Sequence, residues 1–175
     1  MNVGLIMSQP ILFLITTIGF GFIAWGIVAA WYIWPQLRGR SRAGAMRPLL
    51  VLHSFRFVGL SFLVPGVVSP DLPAAWAGPA AYGDFIAAIL ALLSLAGLKS
   101  RLGTPLVWVF NVWGFADLLY AFYQANRLEL DPGQLGTGYF IVTIFVPLLL
   151  ITHGLLFRLL LSRDVAADPD SRRAA

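Results

Sequence analysis

The chain reads as an all-α integral membrane protein: five transmembrane helices, N-terminus outside and C-terminus cytoplasmic. Three observations lead there. Of 175 residues, 59% are hydrophobic and only 11% charged, with a mean hydropathy of +0.81, too few polar groups to cover a soluble domain of this size. The apolar residues fall in five long runs, and a helix needs about 20 residues to cross a bilayer. The basic residues collect in alternate loops, the pattern that sets membrane orientation.

The expected spans are Ile11–Trp34, Pro48–Val68, Tyr82–Leu98, Pro105–Asn126 and Gly138–Leu161. Each is too long and too evenly apolar for a strand, and none alternates with period two. The loop "RGRSRAGAMR" carries Arg38, Arg40, Arg42 and Arg47, and the turn "KSR" carries Lys99 and Arg101. The tail holds Arg163, Arg172 and Arg173, whereas "SPDLPAAWAGPAAYGD" has no basic residue. The basic loops and the tail therefore face the cytoplasm. Trp31 and Trp34 are expected at one interface and Trp76 at the other, and Pro70, Pro73, Pro79, Pro132 and Gly133 mark turns.

Residues 1–162 make one transmembrane domain, and the polar tail 163–175 is expected to be disordered and cytoplasmic. No basic residue precedes Arg38, so the first span lacks the charged start of a signal peptide and is expected to stay as an anchor. The expected location is the bacterial cytoplasmic (inner) membrane, with the lipid bilayer as principal partner. The net charge of +4 follows from topology and implies no nucleic acid.

Cysteine is absent, which removes disulfides, thiolate metal sites, iron–sulfur clusters and cysteine nucleophiles. No nucleophile elbow, phosphate loop or H-E-x-x-H helix occurs. The single lysine, Lys99, sits in a turn, which disfavours a retinal Schiff base. Whether the chain is an enzyme stays open.

Chemistry inside the spans rests on His53 and Arg56 in the second, Asn111 and Asp117 in the fourth and His153 in the fifth. An ionisable group at mid-membrane costs about 2.5–3.5 kcal/mol on insertion scales. At 1.5 Å per residue, His53 and Asn111 lie about 9 Å below the cytoplasmic surface, Arg56 and His153 about 13 Å, and Asp117 about 18–20 Å. Asp84 is taken as an acid at the start of the third helix, and Arg158 as a snorkelling side chain near a helix end.

An α-helical second span puts His53, Arg56 and Leu60 on one face; on the fourth, Asn111, Gly114, Leu118 and Ala121 form a stripe. The principal expectation is one b-type haem held by His53 and His153 as axial ligands. Arg56 would meet a propionate, Asn111 would line the site, and Gly114 would leave room for the flat macrocycle. The neighbouring Phe55, Phe57, Phe62, Trp108, Phe110, Trp113 and Phe115 would surround it. Such a site is similar to those of membrane b-type cytochromes, which use histidines of facing helices for electron transfer or redox sensing. Two histidines suffice for one haem only; a quinone, a redox partner protein or a homodimer would complete the electron path.

Two alternatives stand beside it. In one, Arg56, Asp117 and the histidines serve a small proton-coupled or anion transporter or channel subunit. In the other, the buried polar groups only fix helix register in a structural or assembly subunit. Arg56 would then pair with Asp117, and a histidine would bond a hydroxyl such as that of Thr152. Small-residue rows at Gly19, Gly26 and Ala30, and at Ala87, Ala91 and Ser94, read as packing surfaces.

Overall fold

Residues 9–162 are described by the computed structural model; the 163–175 tail and its arginines lie outside them. Five helices are long and apolar enough to cross a membrane: α1 Gln9–Leu37, α2 Arg42–Leu63, α3 Ala74–Gly97, α4 Gly103–Arg127 and α5 Ile141–Leu161. No strand occurs among the described residues. The expected number of long apolar helices holds, and the differences sit at the starts of two helices.

α2 begins at Arg42, where Ser41 caps it by accepting from the Gly44 N–H at 3.3 Å. Half of the expected loop is therefore helix. α3 begins at Ala74 and runs through Pro79, which the sequence reading took for a turn. Proline is tolerated near a helix start because few N–H groups there have partners to lose. The shift moves Asp84 from the helix end to about 15 Å inside α3, counted from Ala74.

α2 changes character halfway. It is α-helical to Ser54 and a 3-10 helix from Phe55 to Leu63. In a 3-10 helix residues three apart eclipse each other, so its buried row is Arg56, Gly59 and Phe62. Leu60, expected beside Arg56 on an α-helical face, is only half-buried.

The bundle has two apolar ends with a polar layer between. One end gathers Met46, Leu50, Val107, Phe110 and Leu156; the other gathers Phe62, Trp76, Ala77, Ala81 and Leu135. The second end is clasped by its loops: Thr137 donates its N–H (2.9 Å) and hydroxyl (3.0 Å) to the Val67 carbonyl. That approach forces Gly136 to φ +52°, with Val67 so close that a side chain would not fit.

α1 lies at the edge, with no buried residue between Gln9 and Val28. It is tied to α5 by the Trp25 indole N–H, which donates to the Ile144 carbonyl at 3.0 Å, and to the residues just before α5 by a Tyr139–Thr17 hydroxyl bond of 2.9 Å. Among the small-residue rows, Ala87, Ala91 and Ser94 are buried, whereas Gly19 and Gly26 face open space. Trp76 is 4% exposed and its indole N–H donates to the Ala121 carbonyl at 2.9 Å. It is a core residue and not part of an interfacial belt. Trp31 is exposed as expected, and Trp34 carries the Arg158 guanidinium 3.9 Å above its ring.

Candidate functional site: a buried arginine between two carboxylates and two histidines

Arg56 lies at the centre of the polar layer and is fully buried. Its Nε donates to Asp84 Oδ1 at 2.7 Å, and its Nη2 stands 2.6 Å from Asp84 Oδ1 and 2.7 Å from Asp117 Oδ2. Nη1 donates to the Gly114 carbonyl at 2.9 Å and faces His153 Nε2 at 3.2 Å. A guanidinium has five N–H groups; four make hydrogen bonds here, and the fifth faces Asp84 across the 2.6 Å ion pair.

The hydrogen bonds also set the histidine tautomers. Arg56 can only donate, so His153 Nε2 accepts and the ring proton sits on Nδ1, donated to Asn111 Oδ1 at 2.7 Å. Asn111 returns a longer bond to the His153 carbonyl at 3.4 Å. The Thr152 hydroxyl donates back to the Leu148 carbonyl at 2.8 Å, so it accepts from His53 Nε2 at 3.0 Å. His53 Nδ1 is then a buried acceptor with no partner among the described residues.

Glycines make room for these groups. A Cβ on Gly59 would collide with the Asp84 carboxylate, and one on Gly83 with that of Asp117. A Cβ on Gly114 would stand 2.6 Å from Arg56 Nη1 and 2.8 Å from His153 Cε1. The space that the sequence reading reserved at Gly114 for a macrocycle is filled by Arg56 and His153.

The haem geometry does not fit. Metal–imidazole bonds are about 2 Å, so two axial nitrogens on one iron stand about 4 Å apart with the porphyrin plane between them. Here the two rings pack directly together, centroids 4.2 Å apart and planes inclined by 48°. Both His153 nitrogens and His53 Nε2 are already bonded, and the Arg56 donors are turned to partners other than a propionate. Phe110 packs edge-on to His53 at 5.1 Å, while Phe55, Phe57 and Trp113 point outward. Nor does any group of three or more metal-ligating side chains converge among the described residues.

Asn111, Arg56, Asp117, His53 and His153 were all singled out in the sequence, and the structure joins them in one array. Asp84 was set aside and belongs at its centre. Its signal was faint: an acid flanked by small residues, Gly83 before it and Ala87, Ala88 and Ala91 after it, which only a longer α3 would have placed at depth.

Two openings flank the array. A cavity of about 570 Å³ lies between α1, α3, α4 and α5, with Asp84 and Asp117 on its wall and Glu129 at its rim. On the opposite side a cleft of about 280 Å³, bordered by Gln36, Arg40 and Leu52, reaches Thr152. Arg56 stands between the carboxylates that see the cavity and the histidine pair that leads to the cleft.

Residues 13–161 match the family described as Domain of unknown function (DUF8737), and the chain belongs to that family. No curated protein and no solved structure matches it.

Proposed function

We propose that this chain is a multi-pass protein of the bacterial cytoplasmic membrane that couples transport to proton binding, with Asp117 as the proton-binding carboxylate. Insertion with the N-terminus outside is supported by the excess of arginines in alternate loops, against the single Arg127 on the other side, and by the apolar side chains that cover the outer faces of the helices. In this orientation the larger cavity opens toward the outside and the smaller cleft toward the cytoplasm.

One observation carries the reading: two carboxylates and one guanidinium, in direct contact within an apolar bundle, sum to a charge of −1. Unit charges 4 Å apart interact by about 4 kcal/mol at an effective dielectric of 20, so an uncancelled charge at this depth is costly. One added proton makes the cluster neutral. His153 cannot take it without losing its bond from Arg56. Asp84 accepts two contacts from Arg56 and Asp117 only one, so Asp117 is the better place for the proton.

A guanidinium donates hydrogen bonds and is not a proton carrier, so Arg56 does not pass a proton across. Protons on Asp117 therefore exchange through the outer cavity, and protons on the histidines through the inner cleft. Movement of Arg56 connects the two sides. The element that carries it is suited to this, since 3-10 runs longer than three or four residues are uncommon and often mark hinges. Conversion of Phe55–Leu63 to α-helix would shorten it by about 4–5 Å and turn Arg56 out of its row.

The turning of the Arg56 donors to partners within the bundle favours the register-lock alternative, in which the cluster holds one fixed charge state. Infrared spectra of the protein in lipid nanodiscs separate the two. A protonated-carboxyl band that titrates with pH, persists in Asp84→Asn and vanishes in Asp117→Asn is expected. A wild-type spectrum without such a band at any pH sinks the proton reading and leaves the register lock.

A further inference from the structure

We infer that the outer cavity binds an apolar molecule bearing a single positive charge, and that this charge replaces the proton on Asp117. The inference rests on the proton reading above and names the substrate class that the same site would take. At about 570 Å³ the cavity falls within the roughly 300–1,000 Å³ of small-molecule sites. Its walls are apolar side chains such as Leu14, Leu118 and Val146, and its deep end is formed by Asp84 and Asp117.

Anions and neutral acceptors are disfavoured by the donor inventory. The N–H groups of Arg56 are turned to Asp84, Asp117, Gly114 and His153, and the Trp76 indole N–H is held by the Ala121 carbonyl. A quinone carbonyl or an anion would find no donor at the deep end. A cation finds a cluster one positive charge short of neutrality, with Phe62, Trp76 and Phe122 in the lining of the cavity, and aromatic faces attract cations.

The exchange balances without an oxidant or a co-reactant. The O–H bond of the Asp117 carboxyl breaks, its proton leaves through the cavity to water, and the carboxylate pairs with the incoming cation. The charged or titratable groups around Asp117 are Arg56 on α2, Asp84 on α3, His153 on α5 with His53 behind it, and Glu129 at the rim. Only the Asp117 proton is displaced; the two histidines stay neutral behind Arg56.

Tetraphenylphosphonium, titrated calorimetrically into the full chain in detergent micelles, tests this. One cation per chain is expected, with one proton released, counted from buffers of different ionisation enthalpy. Affinity should weaken about tenfold per pH unit on the acid side, where proton and cation compete for one carboxylate. Asp117→Asn should remove the pH dependence and weaken binding at least tenfold; Glu129→Gln should leave the pH dependence in place. Tetraphenylborate, alike in size but negative, should not bind, and Ala121→Phe should exclude the cation from a folded chain.

Equal binding of both ions overturns the inference. So does absence of cation binding in a protein whose carboxyl band titrates, in which case the proton reading stands alone. Binding without proton release, equal at every pH, overturns both.

Discussion

The two ends of the bundle are built from similar helices and differ in what fills them. At the end nearer Arg42 the core is Met46, Leu50, Phe110 and Leu156, large side chains that are almost wholly buried. At the other end Phe62, Trp76 and Leu135 pack with Ala77, Ala80 and Ala81, and Ala80 on α3 and Ala121 on α4 line the cavity that remains beside α1. The small side chains of Ala80 and Ala121 thus leave the larger opening at one end, while the other, closed end keeps the smaller cleft. The charged layer lies where the two meet, with its carboxylates toward the open end and its histidines toward the closed one. An arginine in that position is a partition as well as a counter-ion.

The comparison can be broken most severely at the partition. Arg56→Met should leave two carboxylates buried without a cation, at a cost of about 3–5 kcal/mol, read as loss of folded protein in thermal denaturation. The triple change Arg56→Met, Asp84→Asn, Asp117→Asn should recover much of that stability, since no charge is then stranded. A triple variant no more stable than the single one would show that the arginine acts through packing and not through charge.

A smaller effect separates the ends themselves. Leu50→Ala at the closed end should cost about 2–5 kcal/mol through the space it opens. Ala121→Leu at the open end should change stability by less than about 1.5 kcal/mol, because the added carbons enter an existing cavity. Equal destabilisation by the two would mean that the cavity is not open to larger side chains. Between these in size, Gly83→Ala should cost about 1–3 kcal/mol by forcing Asp117 from its place, and the carboxyl band should change with it. An unaltered band would separate Asp117 from Gly83.

The mildest change is His53→Phe, which keeps the ring stack and removes one bond to Thr152. A loss of about 0.5–1.5 kcal/mol is expected, with the Asp117 band unmoved, since Arg56 separates the two. The same protein, prepared from haem-replete cells, should be colourless in the Soret region in wild type and variant alike. A Soret band lost on substitution of either histidine would restore the cytochrome reading.

Much of this layout was legible beforehand. The five apolar runs and the α4 stripe of Asn111, Gly114 and Leu118 reappear as five long apolar helices and as a buried face, because hydropathy and the 3.6-residue period act locally. The Arg56–Asp117 pairing was readable too, since depth along a helix follows from counting. Three features were not. The start of α3 was hidden by Pro79 and a run of alanine and glycine that hydropathy scores weakly. The helix type of α2 was hidden because 3-10 and α geometry share the same sequence preferences over one turn, and the difference moved Leu60 off the buried row in favour of Gly59. The rotation of the histidines was hidden because it depends on what the neighbouring helices offer.

By itself, then, the amino-acid sequence determined that five apolar helices cross the bundle and that a handful of ionisable groups share one depth within it. Those facts depend on composition and spacing along a single helix. Only the tertiary structure decided what the groups do to one another: that Arg56 turns its donors to Asp84, Asp117, Gly114 and His153, and that the two imidazole rings pack against each other. The reason is geometric. Depth is set along one helix axis, whereas contact needs the rotation of several helices about their axes, and that is fixed only when glycines, carboxylates and rings from different helices pack together.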